Sequence, residues 1–363
     1  MTAAFAATQS HFMHTLVPMW AGPGWNADIA LPYEAVDAQH QPLAPQRYRA
    51  MACARQLYVF SSLIGHYPGA EERAGLLFRS LQRHFHDAEH GGWFYSVDAK
   101  GEPLDTRKDL YTHAFIVFAC AHYWGKVREP FVESVLDAAL TVVLEQFANR
   151  DGLYDSSLAR DWSGLGDGPL QNPLMHLAEA FLATLEARDD AQVHTALLAL
   201  TNAMHKHFVE PVNNLMLEKP LGAVDNWFEP GHQFEWYYLV VASPMLRDSP
   251  LRQSLELAFG FAEQHGVKDG AVLAMLEADG SVRDATQRIW AQAEYLRALT
   301  LRDDAAQRLP EQLAVLRERF LHAKGWHECR NGAGEVSRHD MPSTTPYHLT
   351  TCYQGLAAVL AAQ

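Results

Sequence analysis

Three pairs of residues in this sequence have the spacing that places two side chains on one face of a helix. They are Asn172 and His176, His232 and Glu235, and Trp290 and Glu294. Residues three or four positions apart contact each other across one helical turn. Imidazole exchanges protons near neutral pH, and a neighbouring carboxylate can orient it. These pairs therefore indicate general acid–base chemistry on a bound molecule.

Further polar or aromatic residues occupy comparable positions in other predicted helices. They are Arg55, Tyr58, Tyr111 and His348. Each candidate also has a purely structural interpretation. A single histidine is usually hydrogen-bonded or solvated, Arg55 and Glu235 could each belong to a buried ion pair, and Tyr111 and Trp290 could be core aromatics. A shared site is nevertheless indicated, because six different helices contribute to the set, mostly from their first halves.

These helices are predicted from apolar residues that recur at intervals of three and four along most of the sequence. Twelve are expected, near residues 3–18, 45–66, 71–87, 106–124, 129–148, 170–187, 190–208, 231–245, 250–265, 286–301, 304–323 and 346–361. All the candidate residues fall on even-numbered helices. If those helices form an inner ring, their side chains meet at one end of it.

Short inserts separate the predicted helices in a regular way. They start at Gly24, Gly92, Gly152, Asn214, Ala271 and Gly325, and successive starts differ by 68, 60, 62, 57 and 54 residues. Each alternates briefly like a small hairpin and follows an odd-numbered helix, and such a period indicates a repeat architecture. Six helix pairs closed into a ring form an all-α (α/α)6 barrel, which we expect as one catalytic domain over residues 1–363. An open helical solenoid is the alternative.

The composition is globular, with a surplus of negative charge. A net charge of −14 weighs against nucleic acid and anionic membranes as partners. The cysteines, of which there are four, form no C-x-x-C pair and are expected to be reduced thiols. The N-terminal segment lacks the pattern of a signal peptide, and no apolar run reaches the ~20 residues of a membrane span. We therefore expect a soluble, cytoplasmic protein.

Metal and phosphate chemistry have weaker support. Two H-x-H motifs occur, at 84–86 and 205–207, but they lie on or just after odd-numbered helices, where we expect outer, solvent-facing positions. His232 and Glu235 loosely match half of a di-metal ligand set, and the facing Glu-x-x-His is missing. Neither a glycine-rich phosphate loop nor a G-x-S-x-G motif opens a helix. We expect no bound metal.

Six stretches, running from the second helix to the C-terminus, carry a resemblance to a known family. They are ARQLYVFS (54–61), DLYTHAFIVFACAHY (109–123), NPLMHLAEAFL (172–182), EPGHQFEWYYLV (229–240), RIWAQAEYLRA (288–298) and PYHLTTCY (346–353). With these motifs the chain resembles the N-acylglucosamine 2-epimerase superfamily, which includes cellobiose 2-epimerases and the mannose and sulfoquinovose isomerases. The most specific motif is P-G-H-x-x-E-W at 230–236, together with the terminal Tyr347 and His348.

The resemblance implies an (α/α)6 barrel without a cofactor, in which two histidines face each other across an open-chain sugar. The catalytic residues that it implies are His232, His348 and Glu235. The sugar-contacting residues that it implies are Arg55, Tyr111, Asn172, His176, Trp290 and Glu294. The implied partner is a small-molecule monosaccharide, and we expect a monomer or a homodimer.

The implied reaction starts with removal of the C2 proton, which gives an enediolate. Histidine suits this step, and Arg55 and His176 are suited to stabilise negative charge on the sugar oxygens. Glu235 could orient a histidine or move a proton between O1 and O2. Return of the proton to the opposite face of C2 gives a 2-epimer, whereas delivery to C1 gives a ketose.

The residues after the terminal Tyr-His distinguish the two outcomes. The disaccharide and N-acyl-sugar epimerases of the family typically continue with Asn and Arg, whereas Leu349, Thr350 and Thr351 follow here. We therefore expect an isomerase that interconverts D-mannose and D-fructose, or D-lyxose and D-xylulose. A sugar 2-epimerase is the main alternative. A glycoside hydrolase with Glu235 and Glu294 as its carboxylate pair, and an inactive sugar-binding protein, are the others.

Overall fold

The computed structural model describes residues 1–44, 47–149 and 151–361, and more than half of these residues are helical. The helices of this described part, numbered α1 to α12, are Thr2–His11 continued by Phe12–Leu16 and Val17–Ala21 (α1), Ala50–Ser62 (α2), Ala70–Ser80 continued by Leu81–Phe85 (α3), Leu110–Val127 (α4), Pro130–Val142 continued by Val143–Phe147 (α5), Gln171–Ala187 (α6), Ala191–Phe208 (α7), Pro230–Ala242 (α8), Pro250–Gly266 (α9), Ile289–Leu299 (α10), Ala305–Phe320 (α11) and Thr345–Ala361 (α12). None of them is long and apolar enough to cross a lipid bilayer.

The helix boundaries differ from the predicted ones where extended chain adjoins a helix. Helix α4 begins at Leu110 rather than near 106, and α10 begins at Ile289 rather than near 286, because the residues before each helix form strands. Helix α8 ends at Ala242 because Pro244 starts a separate 3-10 turn, and proline does not continue an existing helix. The predicted start of α2 at residue 45 lies outside the described residues.

Short strands form much of the chain between helices. Numbered β1 to β16, they are Trp25–Asn26, Leu31–Pro32, Ala35–Val36, Tyr48–Arg49, Ser96–Val97, Pro103–Asp105, Lys108–Asp109, Ser157–Leu158, Val267–Lys268, Ala271–Leu276, Val282–Arg288, Leu321–His322, Gly325–Trp326, Cys329–Arg330, Val336–Arg338 and Met341–Pro342. They follow α1, α3, α5, α9 and α11, which are odd-numbered helices. The hairpin-like inserts are not all separate, since β9, β10, β11, β14 and β15 form one five-stranded sheet that joins the fifth and sixth inserts.

The chain divides into two compact units. One comprises Met1–Trp20, Val36–Gln41 and Met204–Gln363, and the other comprises Ala21–Ala35 and Pro42–Ala203. We call them the histidine unit and the arginine unit, after the His232 and His348 of the first and the Arg55 of the second.

In the arginine unit, the even-numbered helices are neighbours of one another. Helix α4 contacts α2 on one side and α6 on the other, while α3 packs on α2 and α5 packs on α4. Every residue of α2 from Ala50 to Ser61 is buried. Burial all round a helix is expected when it is enclosed by others, whereas the mixed faces of α3 and α5 suit an outer position.

The histidine unit repeats this arrangement. Helix α10 contacts both α8 and α12, while α9 packs on α8, α11 packs on α10, and α1 packs on α11 and α12. Helices α8 and α9 begin with Pro230 and Pro250, and proline at the first helical position fixes the backbone angle without removing a hydrogen bond. In each unit the even-numbered helices therefore form the inner layer.

A buried ion cluster fixes the start of α4 in the arginine unit. Lys108 is fully buried, and its Nζ lies 2.8 Å from Asp87 Oδ2 and 2.7 Å from the Gly91 carbonyl oxygen. Arg160 donates to both carboxylate oxygens of Asp87, each at 2.9 Å. The next residue, Asp109, caps α4 by accepting from the Thr112 backbone N–H at 2.8 Å. These contacts fix the start of α4, and Tyr111 is its second residue.

Candidate active site

In the histidine unit, the first turns of α8, α10 and α12 bring their predicted residues together. Gly231, beside His232, permits this approach: a Cβ at this position would lie 2.8 Å from both the Trp290 ring and the Ala291 side chain. The P-G-H sequence is therefore explained locally, since proline starts the helix, glycine admits the neighbouring helix, and histidine comes next.

Trp290 is the common neighbour of two imidazoles. Its ring centroid lies 5.0 Å from that of His232 and 5.5 Å from that of His348, with interplanar angles of 33° and 36°. Both histidines are only 5% exposed. An apolar ring between two buried proton-exchanging groups is a suitable wall for a small polar molecule.

Each imidazole is held by a carboxylate through the same nitrogen. Nδ1 of His232 lies 2.8 Å from Glu218 Oε1, and Nδ1 of His348 lies 2.7 Å from Glu294 Oε1. A neutral imidazole that donates through Nδ1 has its basic lone pair on Nε2. The two carboxylates therefore fix the orientation of both imidazoles.

Further charged groups surround the two histidine–glutamate pairs. Glu229 Oε2 is a second carboxylate near His232, 4.0 Å from Nδ1. Burial alone would lower the pKa of His232, but Glu218 and Glu229 outweigh it and raise that pKa to about 9. Glu294, by contrast, also accepts a hydrogen bond from Arg297 at 3.2 Å, so a guanidinium offsets its charge.

Glu235 is fully buried on α8, one turn after His232. One of its carboxylate oxygens lies within 4.8 Å of ligand atoms of Glu294 and His348, and the Glu218, Glu229 and His232 group is equally tight. Both sets contain atoms that could bind a divalent cation. In both, a histidine and a glutamate already share a hydrogen bond, at 2.8 Å and 2.7 Å.

The arginine unit contains a second group of predicted residues. Arg55 Nη2 donates to Tyr111 Oη at 2.7 Å, and its guanidinium carbon lies 4.2 Å from the Phe115 ring centroid. The His176 ring lies 5.0 Å from Tyr111 and 4.6 Å from Phe115. Its Nδ1 lies 3.1 Å from Glu179 Oε2, so a third histidine has a carboxylate partner.

Asn172 lies one turn before His176 on α6. Its side-chain Oδ1 is buried and has no hydrogen-bond partner among the described residues. A buried amide oxygen in this state is an acceptor that a ligand hydroxyl could satisfy.

Sequence reasoning missed several of the carboxylates and one arginine. Glu229 and Glu179 are three residues from a histidine, so helical spacing could have suggested both. Arg297 is likewise three residues after Glu294. Glu218 carries no such signal, because it lies between α7 and α8 and is brought to His232 by tertiary folding.

Comparisons with known proteins place the chain in a family. The profile described as N-acylglucosamine 2-epimerase (GlcNAc 2-epimerase) matches residues 32–352. The chain belongs to this family.

Two curated relatives are D-mannose isomerases. That of Thermobifida fusca is 34% identical over 161 residues, which cover 43% of this chain and 38% of the relative. That of Pseudomonas cannabina pv. alisalensis is 30% identical over 211 residues, covering 53% of this chain and 50% of the relative. The chain thus matches half or less of the length of these two proteins.

A solved structure of a cellobiose 2-epimerase, from Bacillus thermoamylovorans, is similar over nearly the whole chain. The TM-score is 0.89 at 18% identity, and the match covers 99% of this chain and 100% of the other. At this identity the likeness shows the fold that the two chains share.

Proposed function

We propose that this protein is an aldose–ketose isomerase that interconverts D-mannose and D-fructose, with D-lyxose and D-xylulose as a second pair. The observation that carries the proposal is the pair of buried histidines, His232 and His348, each hydrogen-bonded to a carboxylate and each beside Trp290. Two imidazoles held in this way can exchange protons with a sugar at neutral pH. Family membership, the names of the two mannose isomerases and the Leu-Thr-Thr that follows His348 also support it.

In the proposed mechanism, His348 is the base, and the His232 imidazolium stabilises the negative charge that develops on the sugar oxygens. Glu218 and Glu229 favour the imidazolium form of His232, whose pKa of about 9 keeps it protonated at neutral pH. Glu294 accepts from both His348 and Arg297, which fixes the carboxylate that orients His348. We assign the proton transfer to Nε2 of His348, because Glu294 occupies its Nδ1.

The proton transfers balance as follows. His348 Nε2 removes the C2 proton of the open-chain aldose, and the electrons of the C–H bond form the enediolate. The His232 imidazolium stabilises the developing negative charge on oxygen. Glu235 moves the O2 hydroxyl proton to O1, and His348 returns the carbon proton to C1. One proton has passed from C2 to C1 and one from O2 to O1, which gives the ketose.

A 2-epimerase is the second candidate, and two carboxylate-held histidines beside one tryptophan favour it as well. In that reaction His348 removes the C2 proton and His232 delivers another to the opposite face. A glycoside hydrolase is less well supported. Glu294, one of its two carboxylates, is already engaged by His348 and Arg297, and a general acid must be able to release its proton to the leaving group.

Substrate contacts in the arginine unit are part of the proposal. Arg55 and His176 supply donors for sugar oxygens, Tyr111 holds the Arg55 guanidinium, and Asn172 offers its unsatisfied acceptor. The (α/α)6 barrel as a single domain also belongs to the proposal, and the likeness to the cellobiose 2-epimerase fold supports it.

One incubation distinguishes these functions. The protein is mixed separately with mannose, fructose, glucose, lyxose and cellobiose in deuterated water and followed by carbon and proton NMR. We expect mannose and fructose to interconvert with deuterium entering C1 or C2. Formation of glucose from mannose would favour the epimerase, and release of glucose from cellobiose would favour the hydrolase.

Two variants then test the roles of the histidines. His348→Ala and His232→Ala should each lower kcat by about 10²- to 10⁴-fold, the usual contribution of a positioned acid or base. His348→Ala should also abolish exchange of the C2 proton. Unchanged turnover in either variant would remove that histidine from the mechanism. The control is His194→Ala, at an exposed position on α7, which should keep wild-type activity.

A further inference from the structure

Glu328 is a buried carboxylate that the mechanism above does not use. It lies between β13 and β14 in the histidine unit and is 7% exposed. Its Oε2 accepts hydrogen bonds from Trp326 Nε1 and Thr345 Oγ1, both at 2.8 Å. Burying a carboxyl group costs free energy unless hydrogen bonds compensate it, and these two donors supply that compensation.

The backbone carbonyl and the side chain of Glu328 contact the first residues of two different inner helices. Its backbone carbonyl accepts from the N–H of Ile289, the first residue of α10, at 3.2 Å. Its side chain accepts from Thr345, the first residue of α12. One residue therefore connects the opening turns of α10 and α12.

These same two turns carry the Glu294–His348 pair. Thr345 precedes His348 by three residues, one turn along α12, and the Glu328 carbonyl binds the residue just before Trp290. The hydrogen bond from His348 to Glu294 spans the two helices at 2.7 Å. A shift of either helix along its axis by a fraction of a turn would lengthen this contact beyond hydrogen-bond distance.

We propose that Glu328 is a positioning residue, which holds α10 and α12 in the register that lets Glu294 orient His348. It touches neither the sugar nor the reacting atoms and acts through Thr345 and Ile289. This inference rests on the proposed function for its effect on turnover, but its structural part can be measured without a substrate.

The test separates the Thr345 contact from the rest of the Glu328 environment. Thr345→Val keeps the side-chain shape and removes only the hydroxyl donor, whereas Thr345→Ser keeps the donor. Trp326→Phe removes the other donor to the same carboxylate and leaves α12 attached. Glu328→Gln keeps an acceptor oxygen, and Glu328→Ala removes it.

We expect Thr345→Val and Glu328→Ala to lower kcat by about 10- to 100-fold with KM within about threefold, because small displacements of a catalytic group have effects of this size. Thr345→Ser, Trp326→Phe and Glu328→Gln should stay within about threefold of the wild-type kcat. Equal kcat values in Thr345→Val and Thr345→Ser would overturn the proposal, as would a loss in Trp326→Phe as large as in Thr345→Val.

A spectroscopic readout covers the case in which no tested sugar is turned over. In protein with ¹⁵N-labelled histidine, the Nδ1 signal of His348 is assigned by its loss in His348→Gln. We expect Thr345→Val to shift this signal away from that of a strongly hydrogen-bonded imidazole, and Thr345→Ser to restore it. A His348 signal that is the same in wild type and Thr345→Val would refute the positioning role whatever the activity.

Discussion

His232 and Glu218 form a buried pair with Nδ1 and Oε1 2.8 Å apart, although they are separated by 14 residues in the sequence. Glu229 lies 4.0 Å from the same nitrogen, so two carboxylates face one imidazole. These carboxylates raise the pKa of His232 to about 9, and this shift has consequences for pH dependence that can be measured directly.

The first prediction concerns the charge of His232. Its pKa should be about 9 in the wild type and should fall in Glu218→Gln, because the amide no longer favours the imidazolium while burial still opposes it. NMR titration of ¹⁵N-labelled histidine measures both values. Glu318→Gln, at an exposed position on α11, is the matched control and should leave the His232 titration unchanged. A titration of His232 near its ordinary value of ~6.5 in the wild type would contradict the prediction.

The second prediction follows from the same shift through linkage. His232 has a folded-state pKa of about 9, above its unfolded value of ~6.5. Its contribution to the free energy of unfolding is fully present below pH ~6.5 and is lost as the pH rises towards 9. The difference in unfolding free energy between wild type and Glu218→Gln should therefore shrink over this range, as measured by urea denaturation at several pH values. A difference that stays constant between pH 6.5 and 9 would mean that His232 is not charged in the folded protein.

Much of the fold was predictable because its signals are local. Apolar periodicity predicted twelve helices, and insert spacing predicted which helices share the inner layer. The starts of α4 and α10 were predicted too early because Lys108 and Arg288 lie in strands. Strand pairing depends on distant partners such as Cys329. Local helical patterns contain no information about such pairing.

The site could be predicted only in part, for the same reason. His232, Trp290 and His348 lie at helix starts, where sequence motifs mark them. Glu218 and Glu328 lie outside the helices. Only tertiary folding brings them to their partners, His232 and Thr345. The raised pKa of His232 is therefore a property of the tertiary structure, because Glu218 lies outside α8 and is brought to His232 by folding.

The third prediction concerns the close approach of α8 and α10. Gly231→Ala should destabilise the protein by about 1–3 kcal/mol, since the new Cβ would lie 2.8 Å from Ala291 Cβ, which has no rotamer to change. It should also lower activity by displacing Trp290. Gly260→Ala on α9 is the control, because nothing lies within 4 Å of its Cβ. That change should stabilise by about 0.5–1 kcal/mol through helix propensity. Equal effects of the two substitutions on urea unfolding would show that the packing at Gly231 is looser than the structure indicates.

The fourth prediction concerns the ion cluster before α4. Lys108→Met should destabilise by about 3–5 kcal/mol, because it removes the fully buried partner of Asp87 and leaves that carboxylate with an incomplete set of donors. Arg160→Met should cost less, since Arg160 is 38% exposed and water can replace part of its contact. Urea unfolding of both variants and the wild type measures the difference. Asp87→Asn combined with Lys108→Met should recover part of the loss, because the double variant no longer buries an uncompensated charge. If the double variant is no more stable than Lys108→Met, then lost packing of the lysine stem, rather than the charge on Asp87, accounts for the destabilisation.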